Sequence, residues 1–414
     1  MDSRTLRDFE QRLERELRQN ILPFWMQHAV DRVRGTFHGE VANDLTVNPA
    51  APRGSLLTSR ILWTFAAAAR VYRDADYRNM ADLAYADLCH RYVDAEQGGL
   101  YWSITADDQP LQTRKQVYAQ AFGIYALTEY FRLTAEPAAL RLAIDLFELI
   151  ERHARDHQHG GYFEAYGRDW SPIADVRLSE VDQNDPKSQN TLLHVMEAYT
   201  NLLQVWPEAR VRAALAALLE IMLSKVIQRP THHLGLFFAA DWTLRSDRIS
   251  YGHDIEASWL LTAAAAALDD AGWQARVRPA SLQIAEVTLL EGVDADGAVC
   301  NEGGPTGVTD RKREWWPQAE GVVGFLNAAQ LQPGDPRFLT AARRAWDVIE
   351  RQLIDRVHGE WYRFATPDGE PSRDEPKVSF WKCPYHNGRT CLEGTARLRS
   401  LARLAAPART TASP

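Results

Sequence analysis

Residues 259–268 read WLLTAAAAAL, and residues 61–69 read ILWTFAAAA. Neither stretch carries a charge on any side. A helix with no polar face is buried all round, so these segments belong inside the molecule. A second kind of helix accompanies them. Leu140, Ala143, Ile144, Phe147 and Ile150 share one stripe, with Arg141, Asp145 and Glu148 opposite, the pattern of a helix with one buried face. The chain therefore alternates inner and outer helices.

A glycine followed by apolar residues punctuates the alternation. It stands at Gly35-Thr36-Phe37, Gly99-Leu100-Tyr101-Trp102 and Gly161-Tyr162-Phe163, then at Gly235-Leu236-Phe237-Phe238, Gly297-Ala298-Val299 and Gly359-Glu360-Trp361-Tyr362. The intervals are 62 to 64 residues, except one of 74 between Gly161 and Gly235. That longer interval holds the polar, proline-bearing segment Asp182–Lys187, which reads as a loop insertion. Six repeats of one inner and one outer helix predict an all-α fold, an (α/α)6 barrel of six helical hairpins. The N-terminal helix from Arg4 to Val30 supplies the outer partner of the last inner helix, near Thr390–Leu404. This closure predicts one domain over residues 1–404, although single cores usually stop growing near ~250–300 residues. The Ala/Pro/Thr-rich tail, 405–414, is expected to fray. An open solenoid is the alternative, but it needs capping helices with polar outer faces, which the terminal helices lack.

Composition narrows the function. A formal charge of −8 argues against nucleic acid as a partner. Met1–Asn20 is charged and amphipathic, with no apolar leader, and no run approaches the ~18 apolar residues of a membrane span. Cys89, Cys300, Cys383 and Cys391 lack metal-type spacing and read as free thiols of a reducing compartment. A cytoplasmic monomer with a small-molecule substrate is expected.

Unusual polar residues occupy the inner helices. They are Arg60, Tyr118, Asn190 with His194, His253 with Glu256, Trp316 with Glu320, and His386. Arg60, Tyr118, His194, Glu256 and Trp316 each stand 39 to 43 residues ahead of the next glycine anchor. His386 opens the sixth inner helix. Equal depth in successive repeats delivers all of them to one end of the barrel, where converging polar groups make a small-molecule pocket. His28, His38, His90, His153, His157, His159, His232, His233 and His358 lack this placement and read as surface or core residues. Trp316 and Trp381 fit either a core or a sugar-stacking role. A buried Arg60 guanidinium needs acceptors, which points it at a ligand. His253 and Glu256 share a helix face, as metal ligands do. Di-iron bundles, however, use the reverse order with further glutamates, so no metal is expected, and Glu256 is expected to accept a hydrogen bond from an imidazole. No phosphate loop, nucleophile elbow or dinucleotide fingerprint is present, so no cofactor is expected either. Acid/base chemistry by histidines remains. Two imidazoles on different walls suit removal and return of a proton, with an arginine stabilising the anionic intermediate.

Several segments carry a resemblance: Phe37-His38-Gly39-Glu40, Ser59-Arg60-Ile61-Leu62-Trp63, Arg114-Lys115-Gln116-Val117-Tyr118, Asn190-Thr191-Leu192-Leu193-His194, Gly252-His253-Asp254-Ile255-Glu256, Trp315-Trp316-Pro317-Gln318-Ala319-Glu320 and Trp381-Lys382-Cys383-Pro384-Tyr385-His386. From about Leu13 to Leu401 the chain resembles the N-acylglucosamine 2-epimerase superfamily. The resemblance implies C2 epimerisation of the reducing-end glucose of β-1,4-linked disaccharides such as cellobiose or lactose. It implies His253 and His386 as the acid/base pair, working through a cis-enediolate. It further implies that Arg60, Tyr118, Asn190 and His194 hold the sugar. Trp259 would extend the His253/Glu256 face, Trp316 and Trp381 would be platforms, and Glu320 a supporting carboxylate. A monosaccharide isomerase or epimerase, a glycoside hydrolase on the same barrel and a non-catalytic sugar-binding protein are the alternatives. Two converging carboxylates would favour the hydrolase, and three pocket histidines disfavour the binding protein.

Overall fold

The computed structural model describes residues 3–405. Outer helix α1 (Ser3–Glu16) continues through a π turn at Leu17–Ile21 into α2 (Leu22–His28). Inner and outer helices then alternate. The inner helices are α3 (Ser55–Tyr72), α5 (Val117–Thr134), α7 (Gln189–Val205), α9 (Tyr251–Ala267), α11 (Trp315–Leu331) and α13 (Tyr385–Ala405). The outer ones are α4 (Ala75–Asp87), α6 (Pro137–Leu149), α8 (Ala209–Ile221), α10 (Ala271–Glu291) and α12 (Pro336–Val348). Each inner helix packs on the next, and α13 packs on both α3 and α1, which closes the ring as an (α/α)6 barrel. The last inner helix starts five residues before the expected Thr390, so His386 lies on its first turn. Ala405 ends that helix; the rest of the expected frayed tail lies outside the described residues.

Small side chains let the ring close. Ala66, Ala67, Ala68 and Ala69 on α3 are buried. On α13, a Cβ at Gly394 would lie 2.7 Å from Leu13 Cδ1, so glycine lets α1 seat against the last inner helix. No described helix is long and apolar enough to cross a membrane.

The glycine anchors are tight turns after the outer helices. Gly161 adopts φ +77°, the left-handed region that L side chains rarely enter, and a Cβ there would stand 2.7 Å from Trp242 Cζ2. The segment after such an anchor pairs with the two residues leading into an inner helix, as Lys115–Gln116 does with Ala165–Tyr166 and Lys187–Ser188 with Phe237–Phe238. Buried ion pairs tie these entrances to the turns: Lys115 to Asp94 at 2.9 Å, Lys187 to Asp156 at 2.6 Å and Lys377 to Asp355 at 2.5 Å. The hairpins thus collar the N-terminal ends of the inner helices, the end where the polar residues gather. The extra loop of the long interval is wider than expected. It begins well before Asp182, and Lys187 already belongs to a strand.

Candidate active site

A cavity of about 600 Å³ opens at the N-terminal ends of the inner helices. Arg60 (α3), Tyr118 (α5), Asn190 and His194 (α7), His253 and Glu256 (α9), Trp316 (α11) and His386 (α13) line it. Trp381, just ahead of α13, and Val176–Gln183 of the long loop complete the wall. The helix residues and Trp381 stand in the first two turns of their helices or just before them, where side chains from six directions converge.

The histidines are held at Nδ1. His386 Nδ1 lies 2.7 Å from Glu320 Oε1, and His194 Nδ1 lies 2.8 Å from Glu197 Oε2. A carboxylate only accepts, so each imidazole carries its proton on Nδ1 and presents a lone pair at Nε2. His253 Nδ1 lies 2.8 Å from Ser250 Oγ. The His253 and His386 rings both pack against Trp316, with centroids 4.6 and 5.8 Å from it. Burial lowers His253 to about 3, helped by the positive charge His194 and His386 would carry. Burial also lowers His386 to about 3, against the pull of Glu320. Both are neutral bases at neutral pH.

Arg60 donates from Nη2 to Tyr118 OH at 2.7 Å and lies over the Phe122 ring at 4.3 Å. No described carboxylate is within ion-pair reach of it, and its Nε has no partner, so a cation is left facing the cavity. Asn190 Oδ1 is likewise buried without a partner.

Three expectations need correction. Glu256 does not hold an imidazole: its Oε1 accepts from Arg389 Nη2 at 2.5 Å, and its Oε2 has no partner. Glu320 and Trp259 do not face the cavity. Glu320 sits behind His386, as a supporting carboxylate would, and Trp259 donates from Nε1 to Glu320 Oε2 at 3.0 Å, so both stand one layer back from the cavity lining. Glu320 shares the depth of Arg60 but His386 stands in front of it, and Trp259 lies nearly two turns beyond His253 on α9.

Arg389, Glu197 and Tyr385 were missed as site residues. Arg389, fully buried, donates to Glu256, to Glu320 Oε1 at 2.7 Å, to Glu197 Oε1 and to Tyr385 OH. Burial opposes ionisation of Glu197 and Glu320. The Arg389 charge and the hydrogen bonds from the partner histidines together outweigh it, holding Glu197 below its ordinary value and Glu320 at about 2. A signal existed in the sequence. His194/Glu197, His253/Glu256 and His386/Arg389 all repeat at i, i+3, which places a second polar residue beneath each histidine. Glu256, Glu320 and His386 bring ligand atoms within 4.8 Å of one another, as a metal site would. Arg389 already donates to both carboxylates, so the cation of this cluster is a side chain.

Fold and pocket together define an (α/α)6-barrel enzyme with a histidine-lined cavity sized for a small molecule. The model of the N-acylglucosamine 2-epimerase family matches residues 35–386, and the chain belongs to that family and is an isomerase. A cellobiose 2-epimerase of Bacteroides fragilis is 44% identical over 93% of this chain and 98% of its own. The solved cellobiose 2-epimerase of Bacillus thermoamylovorans B4167 superposes with a TM-score of 0.89, at 38% identity over 94% of this chain and 100% of its own. A D-mannose isomerase shares the fold with a TM-score of 0.82 at 20% identity, covering 94% of this chain and 98% of its own.

Proposed function

We propose that this isomerase epimerises C2 of the reducing-end glucose of β-1,4-linked disaccharides, with His253 and His386 moving the proton. In the open-chain sugar the C2 hydrogen is acidified by the neighbouring aldehyde. One imidazole Nε2 takes it, leaving a cis-enediolate; the other imidazole, protonated at Nε2 from water in the cavity, returns a proton to the opposite face, and the first gives its proton back to water. The single observation that carries the reading is the pair of neutral imidazoles from different inner helices packed on Trp316, one of them fixed by Glu320. Arg60, a buried cation with no described carboxylate in ion-pair reach, suits the enediolate oxygens. Tyr118, Asn190 and His194 suit the hydroxyls, and Trp316 and Trp381 the sugar faces. Glu256 and Glu320 share one guanidinium instead of flanking a bond, which speaks against glycoside hydrolysis. The four cysteines are free, in keeping with a cytoplasmic enzyme, and we take it to act as a monomeric single domain.

The test is product identification after separate incubation with cellobiose, lactose and mannose. Glucosyl-mannose from cellobiose and epilactose from lactose, without free monosaccharide, are expected. Turnover of mannose alone would move the reading to a monosaccharide enzyme, and release of glucose would move it to a hydrolase.

A further inference from the structure

The three buried carboxylates are not equivalent. Glu197 uses Oε2 for His194 and Oε1 for Tyr385 and Arg389. Glu320 uses Oε1 for His386 and Arg389, and Oε2 for Trp259. Every oxygen of these two accepts a donor, as suits an anion. Glu256 differs. Its Oε1 accepts from Arg389, while its buried Oε2 accepts from nothing, and the residue borders the cavity. A buried anionic oxygen without a donor is costly, whereas a carboxylic acid whose O–H turns to the cavity has a hydrogen bond to give. We propose that Glu256 works as a neutral carboxylic acid, oriented by Arg389, that donates a hydrogen bond from Oε2 to an oxygen of the open-chain sugar.

The proposal rests on the reading of this cavity as a sugar-epimerase site. The surroundings favour the neutral form. Glu256 feels Tyr118 from α5, Glu197 from α7, Glu320 from α11, and Tyr385, His386 and Arg389 from α13; Arg60, His194 and His253 line the same cavity. Burial and the negative charge of Glu320 push its carboxyl well above the ordinary range, and Arg389 only partly opposes them. A carboxylic acid kept neutral in a buried site is an effective hydrogen-bond donor to an oxygen gaining negative charge. The proton stays on Glu256 throughout: when C2–H breaks, the charge appears on the sugar oxygens, and the O–H stabilises one of them.

Arg389 makes the test sharp. In Glu256→Gln, the guanidinium fixes the amide oxygen at the Oε1 position, so the NH2 takes the place of Oε2 and still donates. Glu256→Gln is expected to keep a tenth or more of kcat/KM, whereas Glu256→Ala loses about 10²–10³-fold, the usual cost of one such donor. The wild type should also lose rate as rising pH ionises Glu256, a limb absent from the Gln variant. Infrared difference spectra, wild type minus Glu256→Gln at neutral pH, should show one carboxylic-acid carbonyl band. A folded Gln variant as inactive as the Ala variant, or a carboxylate band in place of the acid band, would overturn the proposal. A wild type that epimerises nothing would overturn the reading of the cavity, and the infrared band would still decide the state of Glu256.

Discussion

Trp381 shows how a residue's place decides its effect. It stands half-buried at the mouth of the cavity, its ring 5.9 Å from Trp102 and 5.4 Å from Phe380, and no helix depends on it. Trp381→Ala is expected to raise KM for disaccharides about tenfold or more with a smaller change in kcat, because a stacking face is lost while the histidines stay in place. Steady-state kinetics on cellobiose check this; unchanged KM would return Trp381 to the core. At this scale the sequence revealed much of the pocket. Arg60, Tyr118, Asn190, His194, His253, Trp316 and His386 share a depth in the repeat, and they share the cavity. What it hid was the layer beneath. Glu197 and Arg389 sit where their helix neighbours are all buried, and nothing in a helical period tells a carboxylate that holds an imidazole from one that meets a ligand. Glu256 was misassigned for that reason.

At the scale of elements, the glycine turns set each outer helix against the entrance of an inner one. Gly161→Ala forces a left-handed backbone on alanine, which costs about 1–2 kcal/mol, and drives the new Cβ into the Trp242 ring. A fall of a few degrees in Tm is expected, measured by thermal denaturation, with the catalytic parameters nearly unchanged because the turn lies outside the cavity. An unaltered Tm would mean that the turn relaxes at no cost. The glycines were legible because they are periodic and unlike their neighbours. The bounds of the long-interval loop were not, since Val176–Gln183 meets the cavity through its path in space, which local composition does not encode.

The whole molecule is a ring that buries imidazoles, and burial has a pH signature. His253 sits near 3 in the folded chain against an ordinary value near 6.5. The unfolded chain therefore binds more protons at this site between those values, so the site costs stability as pH falls from about 6.5 towards 3. His253→Asn removes that term. Its unfolding free energy should fall less steeply with acid than that of the wild type across this window, as denaturant titrations would show; parallel slopes would mean that His253 is not desolvated. Closure of the ring was legible from the count of six and from the unpaired N-terminal helix. The packing of α11 between α9 and α13 in that ring brings His253 and His386 against one tryptophan, and the proposed reaction depends on it. Epimerisation of cellobiose in heavy water tests that dependence most directly. Product bearing deuterium at C2 is expected, with either His253→Asn or His386→Asn slowing its formation by about 10²-fold or more. Epimerised product carrying only protium at C2, or full activity in either variant, would contradict the account.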